Sequence, residues 1–292
     1  MRNIPVRIIR EMTVVFVRKN VSRSAAALSY YLTISVFPFL ICVSAILGSL
    51  HVYESEVFVL LEDIMPADAF STITEFLRFV SGNSSELMFA IGLTAMLTSS
   101  SAAFRSFNSI MGEIQGKMRF KGIWRVIFSF ILSLAFLAAV YVSGLVLLSG
   151  GWLMQILETY FGFGKILTLW TWVRFVFLFL LLFGVIYSIY MLSAPKETKR
   201  IHRLPGALAA SVILVVASII YSRMISISLK YALLYGSLAS FIILMIWLYT
   251  CSIILIMGNV FNVSLQKMRE SIKTQKMQKA LNTIKKKEKQ ET

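Results

Sequence analysis

Broken at every charged residue, the chain leaves six long uncharged blocks: Ser24–Leu50, Leu87–Phe104, Val126–Leu157, Phe175–Pro195, Leu204–Ser222 and Tyr231–Gln266. The shortest holds 18 residues and the longest 36, so each comes near or exceeds the roughly 20 residues that carry a helix across a hydrocarbon core about 30 Å thick. A long helix of a soluble protein keeps a polar stripe at every third or fourth residue, and runs such as Phe175 to Phe183 have none. With 58% hydrophobic and only 15% charged residues, the excess apolar surface has to meet lipid. The sequence therefore predicts an all-α, polytopic membrane bundle of six transmembrane helices with interfacial amphipathic helices. At 27 residues the first block is far longer than the apolar stretch of about 7 to 15 residues in a secretory signal, and is expected to remain in the mature protein.

Basic residues set the orientation, because Lys and Arg are retained on the cytoplasmic side. Alternate connections carry 24 of the 29 cations. Arg2, Arg7, Arg10, Arg18, Lys19 and Arg23 precede the first span, Arg105 to Arg125 hold five, Lys196 to Arg203 hold four, and nine follow Gln266. Eight of the 14 acids lie on the opposite side. Both termini are thus expected in the cytoplasm of a bacterial plasma (inner) membrane. The net charge of +15 is what this topology produces, and it does not imply nucleic acid as a partner. The tail cations Lys273, Lys276, Lys279 and Lys285 to Lys287 suit anionic headgroups of membrane lipids, each contributing about 1 kcal/mol near the surface.

Three regions follow from the pattern. Residues 1–23 alternate cations with Ile, Val, Met and Phe, as an amphipathic helix on the inner leaflet would. Residues 24–264 form the transmembrane domain, with spans near 24–50, 87–108, 126–149, 172–193, 204–223 and 235–262. Residues 265–292 are a basic cytoplasmic tail, helical or frayed. In the longest outer segment, Phe70, Ile73, Phe76 or Leu77, and Val80 follow Pro66 on one helical face; the helix would cap the bundle or dock a partner. Trp152, Tyr160, Phe161 and Phe163 among glycines, and Trp170 and Trp172, read as interfacial aromatic belts. Cys42 and Cys251 sit within spans, as packing thiols rather than a disulfide framework.

No catalytic set converges. His51 and His202 lie at span edges on opposite sides, the acids are dispersed, and no phosphate loop, dinucleotide fingerprint or zinc-protease signature occurs. The reading is of a non-enzyme without cofactor or metal. What remains are polar residues inside the spans, which are costly in lipid and face the bundle interior or a pathway. Thr94, Thr98, Ser101, Arg105 and Asn108 recur at spacings of four and three residues and share one helical face. Packing between helices accounts for such hydroxyls. Arg105, at the cytoplasmic end of the stripe, is either a snorkelling anchor or a ligand for a phosphate or carboxylate headgroup. Span one adds Ser29 and Thr33, and Pro38, which removes an amide and should kink the helix near Phe37. Span six opens with Tyr235-Gly236-Ser237 and is too long to cross upright, so it tilts or begins in the outer interface. Ser29, Thr33, Thr94, Thr98, Ser101, Arg105, Asn108 and Ser237 are the candidate pathway or ligand residues.

Three segments resemble the YihY/virulence factor BrkB family of bacterial inner-membrane proteins, once labelled ribonuclease BN. They are Ala25-Ala26-Ala27-Leu28-Ser29-Tyr30-Tyr31 with Ser35-Val36-Phe37-Pro38; Ala194-Pro195 before Leu204-Pro205-Gly206-Ala207-Leu208-Ala209-Ala210; and Tyr235-Gly236-Ser237 with Trp247-Leu248-Tyr249 and the Gly258 to Asn262 end. Their order covers almost the whole chain. One departure stands out: the family often carries Gly-Ala-Glu near the end of span six, where this chain has Gly258-Asn259-Val260. The resemblance implies an inner-membrane protein of six spans whose biochemical activity is undefined, and the missing nucleophile and metal set argues against a ribonuclease. The function expected is transport or handling of a lipid or amphipathic anion. The alternative is a non-catalytic scaffold or envelope-assembly factor whose partner is an envelope protein or a second copy of the chain.

Overall fold

The computed structural model describes residues 4–49, 86–116, 120, 122–148, 166–193, 203–235 and 237–291. Among them the chain forms α1 (Ile4–Arg18), α2 (Val21–Ser49), α3 (Glu86–Gln115), α4 (Ile123–Leu148), α5 (Ile166–Ser193), α6 (Leu204–Tyr235) and α7 (Ser237–Glu291), with no strand. Helices α2 to α7 pack against their sequence neighbours in turn, and α7 returns to α2, which closes the bundle into a ring. A stretch such as α5, apolar around its whole circumference, has no preferred wet face. It can be a stable helix only between protein and lipid.

Among the described residues, five stretches are long and apolar enough to cross a membrane: Val21–Cys42, Ile123–Ser143, Phe175–Ser193, Leu204–Met224 and Phe241–Ile272. Large apolar side chains cover the outside, among them Ile131 and Leu134 of α4, Phe175 and Leu180 of α5, and Val216 and Ile219 of α6. A soluble monomer rarely exposes contiguous apolar surface beyond a few hundred Å². The sequence expectation of six spans is met at five. Helix α3, 30 residues long, contains the uncharged block Leu87–Phe104 that the sequence offered as the other span.

Helices α6 and α7 form an antiparallel hairpin. Tyr221 stacks on Trp247, with ring centroids 4.7 Å apart, and its hydroxyl donates to the Ile243 carbonyl. Near the other end, the Gly206 amide donates to the Asn262 side chain at 2.7 Å. Position numbers fall on one helix as they rise on the other, which is the register of two helices folded back on each other.

The α2 helix continues through Pro38, and a Cβ on Gly92 of α3 would lie 3.8 Å from the Pro38 carbonyl. The tail is helical: α7 is one helix of 55 residues, about 80 Å long at 1.5 Å per residue. The N-terminal helix does more than lie on the leaflet. Ile8 is buried, and Met12, Val15 and Phe16 pack against the bundle core. The turn into α2 is made at Asn20, whose φ of 48° falls in the left-handed region that Asn tolerates better than most residues. The outer segment between Pro66 and Val80, the glycine-aromatic segment from Gly150 to Gly164, His51 and His202 lie outside the described residues.

Candidate functional site

Among the described residues, a connected polar junction lies where α5, α6 and α7 meet. Arg203 precedes the first helical residue of α6, and Pro205 in that first turn has no amide to satisfy. Gly206 does, and an α-helix has no partner for its first amides. Asn262 of α7 provides one from outside the helix: its Oδ1 accepts from the Gly206 N–H at 2.7 Å, and its Nδ2 donates to the Arg203 carbonyl at 2.9 Å. The Arg203 side chain, itself buried, donates from Nη1 to the Met191 carbonyl of α5 at 2.9 Å. Tyr190 of α5 is fully buried, donates to the Leu255 carbonyl of α7 at 2.7 Å, and stacks on Phe107 of α3 with an interplanar angle of 7°.

Two glycines make this closeness available. A Cβ on Gly206 would be driven into the Gly258 carbonyl and the Asn262 side chain. One on Gly258 would collide with the Tyr190 hydroxyl and sit 2.8 Å from the Ala210 methyl. Small residues that let backbones touch are the usual means by which helices associate in lipid, where apolar burial offers no driving force. Beside them Asn259 is buried, and its Nδ2 has no hydrogen-bond partner among the described residues.

The polar stripe of α3 is split. Thr94 and Thr98 are exposed and turn their hydroxyls back to the carbonyls of Ala90 and Thr94 at 2.7 and 2.9 Å. Ser101 is fully buried, and Arg105 and Asn108 are half-buried. Gly92, Met96, Ala103, Phe107 and Ile110, all buried, lie on the opposite side of the helix. The stripe therefore does not line the packed interior along its length; only the end from Ser101 onward turns inward. There Arg105 donates from Nη1 to the Ser101 hydroxyl at 2.5 Å, and Arg125 of α4 reaches across so that its Nη2 donates to the Arg105 carbonyl. The Nε of Arg125 is buried with no acceptor among the described residues.

Ser29 and Thr33 are both buried, but their hydroxyls bond to the Ala26 and Ser29 carbonyls of their own helix at 2.9 and 2.8 Å. Ser35 does the same with Leu32. Ser237 is the first residue of α7, and Gly236 lies outside the described residues. Thus Ser101 and Arg105 are brought together, while Ser29 with Thr33, Thr94 with Thr98, and Ser237 stay on separate helices. Reasoning from the sequence missed Arg125, Arg203 and Tyr190. Arg125 and Arg203 were counted there only as topology charges, whereas Asn262 and the glycines lay inside motifs without an assigned role. Cys42 and Cys251 are free and buried. Among the described residues no three His, Cys, Asp or Glu side chains gather as metal ligands would.

The sequence profile described as Virulence factor BrkB matches residues 12–282. The chain is similar to the ribonuclease-like protein YfkH of Bacillus subtilis (strain 168), with 26% identity over 251 residues, which is 84% of this chain and 90% of that protein. It is also similar to a UPF0761 membrane protein of Aliivibrio salmonicida (strain LFI1238), with 31% identity over 86 residues, 30% of this chain and 28% of that protein. No solved structure matches.

Proposed function

This chain belongs to the Virulence factor BrkB family of multi-pass membrane proteins, and from that premise we propose that it moves or holds a lipid or other amphipathic anion at the cytoplasmic face of a bacterial plasma membrane. In this reading α3 is the sixth crossing, both termini are cytoplasmic, and the protein is not an enzyme. The observation that carries it is the pairing of Arg105 and Arg125. The Arg125 guanidinium reaches the Arg105 backbone carbonyl at the inward end of α3, where the Arg105 guanidinium holds Ser101; no carboxylate is paired with either among the described residues, and one buried N–H of Arg125 lacks an acceptor. Leaving a buried donor unmade costs about 1 to 3 kcal/mol. A phosphate or carboxylate placed there relieves that cost and receives charge-assisted hydrogen bonds from both residues. The apolar sides of the helices accommodate the rest of an amphipathic molecule.

In vesicles reconstituted with the full chain, Arg105→Ala and Arg125→Ala are each expected to slow movement of a fluorescent anionic lipid about tenfold or more, with the Lys variants retaining part of the rate. Unchanged movement in both Ala variants removes the role. Orientation is checked separately. Cysteines introduced as Thr13→Cys and Thr274→Cys should react with an impermeant maleimide only after cells are opened, and Ser71→Cys should react in intact cells. Labelling of Thr274→Cys in intact cells contradicts a cytoplasmic tail.

A second reading, a non-catalytic scaffold, draws on the self-satisfied hydroxyls of α2 and on the near-contact of Gly206 with Gly258. A tightly packed interior serves an assembly platform as well as a carrier. Crosslinkers between Phe70 and Val80 that trap one reproducible envelope protein or a second copy of the chain, with no anion movement in vesicles, would favour it.

A further inference from the structure

We propose that the cleft between α1 and the cytoplasmic part of α7 is a binding site for the phosphate headgroup of an anionic phospholipid of the inner leaflet. The cleft has a volume of about 490 Å³, and its wall carries Arg7, Arg10, Arg18, Lys19 and Lys267 with a single carboxylate, Glu11. Five cations against one acid leave four positive charges around a space large enough for a headgroup. This arrangement repels itself until an anion enters. Basic pockets where membrane helices reach the cytoplasmic surface are the usual place for such headgroups.

The three faces of α1 decide between a lipid and a soluble anion. At 100° per residue, Ile8, Met12, Val15 and Phe16 fall on one face and pack against the bundle. Arg7, Arg10, Glu11 and Arg18 fall on a second, toward the cleft. Val6, Ile9 and Val17 make the third and are 63%, 63% and 67% exposed. A soluble ligand needs no such apolar margin beside its anion site. The acyl chains of a phospholipid do, since a helix with a basic face next to an apolar face sits at the headgroup boundary. Lys267 fixes the depth: it lies just past Ser264, at the point where the uncharged part of α7 gives way to the basic tail. The site is separate from Arg105 and Arg125 and does not depend on any transport by them.

The test uses the purified full-length protein in detergent, titrated with short-chain phosphatidylglycerol, short-chain phosphatidylcholine, inorganic phosphate and ATP, with bound ligand counted by native mass spectrometry. Phosphatidylglycerol is expected to be retained at least tenfold better than phosphatidylcholine. The double variant Arg7→Gln/Arg18→Gln should lose that preference at least tenfold, while Arg7→Lys/Arg18→Lys keeps most of it. The tail variant Lys285→Ala/Lys286→Ala/Lys287→Ala, outside the cleft, should bind like the parent. Because both arginines are at the surface, the thermal transition of the Gln variant should stay within a few degrees of the parent; a lost transition hands the decision to the Lys and tail variants. Equal binding of the two lipids overturns the proposal, and so does an equal loss in the tail variant, which indicates charge without a site. Binding of phosphate or ATP as tight as that of the lipid also overturns it, in favour of a soluble anion.

Discussion

Gly206→Leu is expected to abolish the folded, monodisperse form of the protein in detergent. The leucine Cβ alone would enter the Gly258 carbonyl and the Asn262 side chain, and both of those belong to the backbone or to a side chain already held by two hydrogen bonds. Overpacking a tight core typically costs about 1 to 3 kcal/mol, and more where backbone has to move. Here relief requires α6 and α7 to separate, which also breaks the Asn262 bonds. Gly184→Leu is the matched control, because a Cβ there meets nothing within 4 Å, and it should leave the elution profile and thermal transition near those of the parent. If Gly206→Leu behaves like Gly184→Leu, the close α6–α7 contact is not the one the protein uses.

Asn262→Leu should be nearly as damaging, for a polar reason. The substitution keeps about the same volume but removes the acceptor of the buried Gly206 amide and the donor that Asn262 supplies to the Arg203 carbonyl. Side-chain hydrogen bonds between helices in lipid contribute roughly 0.6 to 2 kcal/mol each, so losing both is expected to cost about 1 to 4 kcal/mol and lower the thermal transition by several degrees. Asn262→Asp divides the two effects. The carboxylate still accepts from Gly206, and its charge suits the positive end of α6, but it has no donor for Arg203. An intermediate loss fits the bonding described; a loss as large as that of Leu would mean that the Nδ2 to Arg203 bond carries the whole interaction.

The membrane-crossing character of the chain was legible because lipid demands long uncharged stretches, and those can be counted without knowing what packs against what. Helix α3 shows the limit of that count. Its polar residues share one face, as their spacing says, yet periodicity cannot tell which neighbour covers that face, and the answer changes between Thr98 and Ser101. The junction at Asn262 was the least legible part. Its residues lie 56 and 59 positions apart in the chain, and nothing in a single sequence pairs an Asn on one helix with the unpaired amide at the start of another. The motifs carrying the family resemblance did contain Gly206, Gly258 and Asn262, and the packing explains why the start of α6 and the middle of α7 come as a set.

Helix α7 passes from the bundle into the basic tail without a joint. The stretch 267–291 alone extends about 37 Å at 1.5 Å per residue, so a tilt of only about 10° in the membrane-embedded half would swing its far end by about 6 Å. Any rearrangement among α2, α6 and α7, whether caused by a bound anion or by a change in bilayer thickness, would then be amplified into a displacement at the far end of the tail large enough to make or break a contact. The arm behaves as a pointer whose pivot is the Gly206–Gly258 crossing.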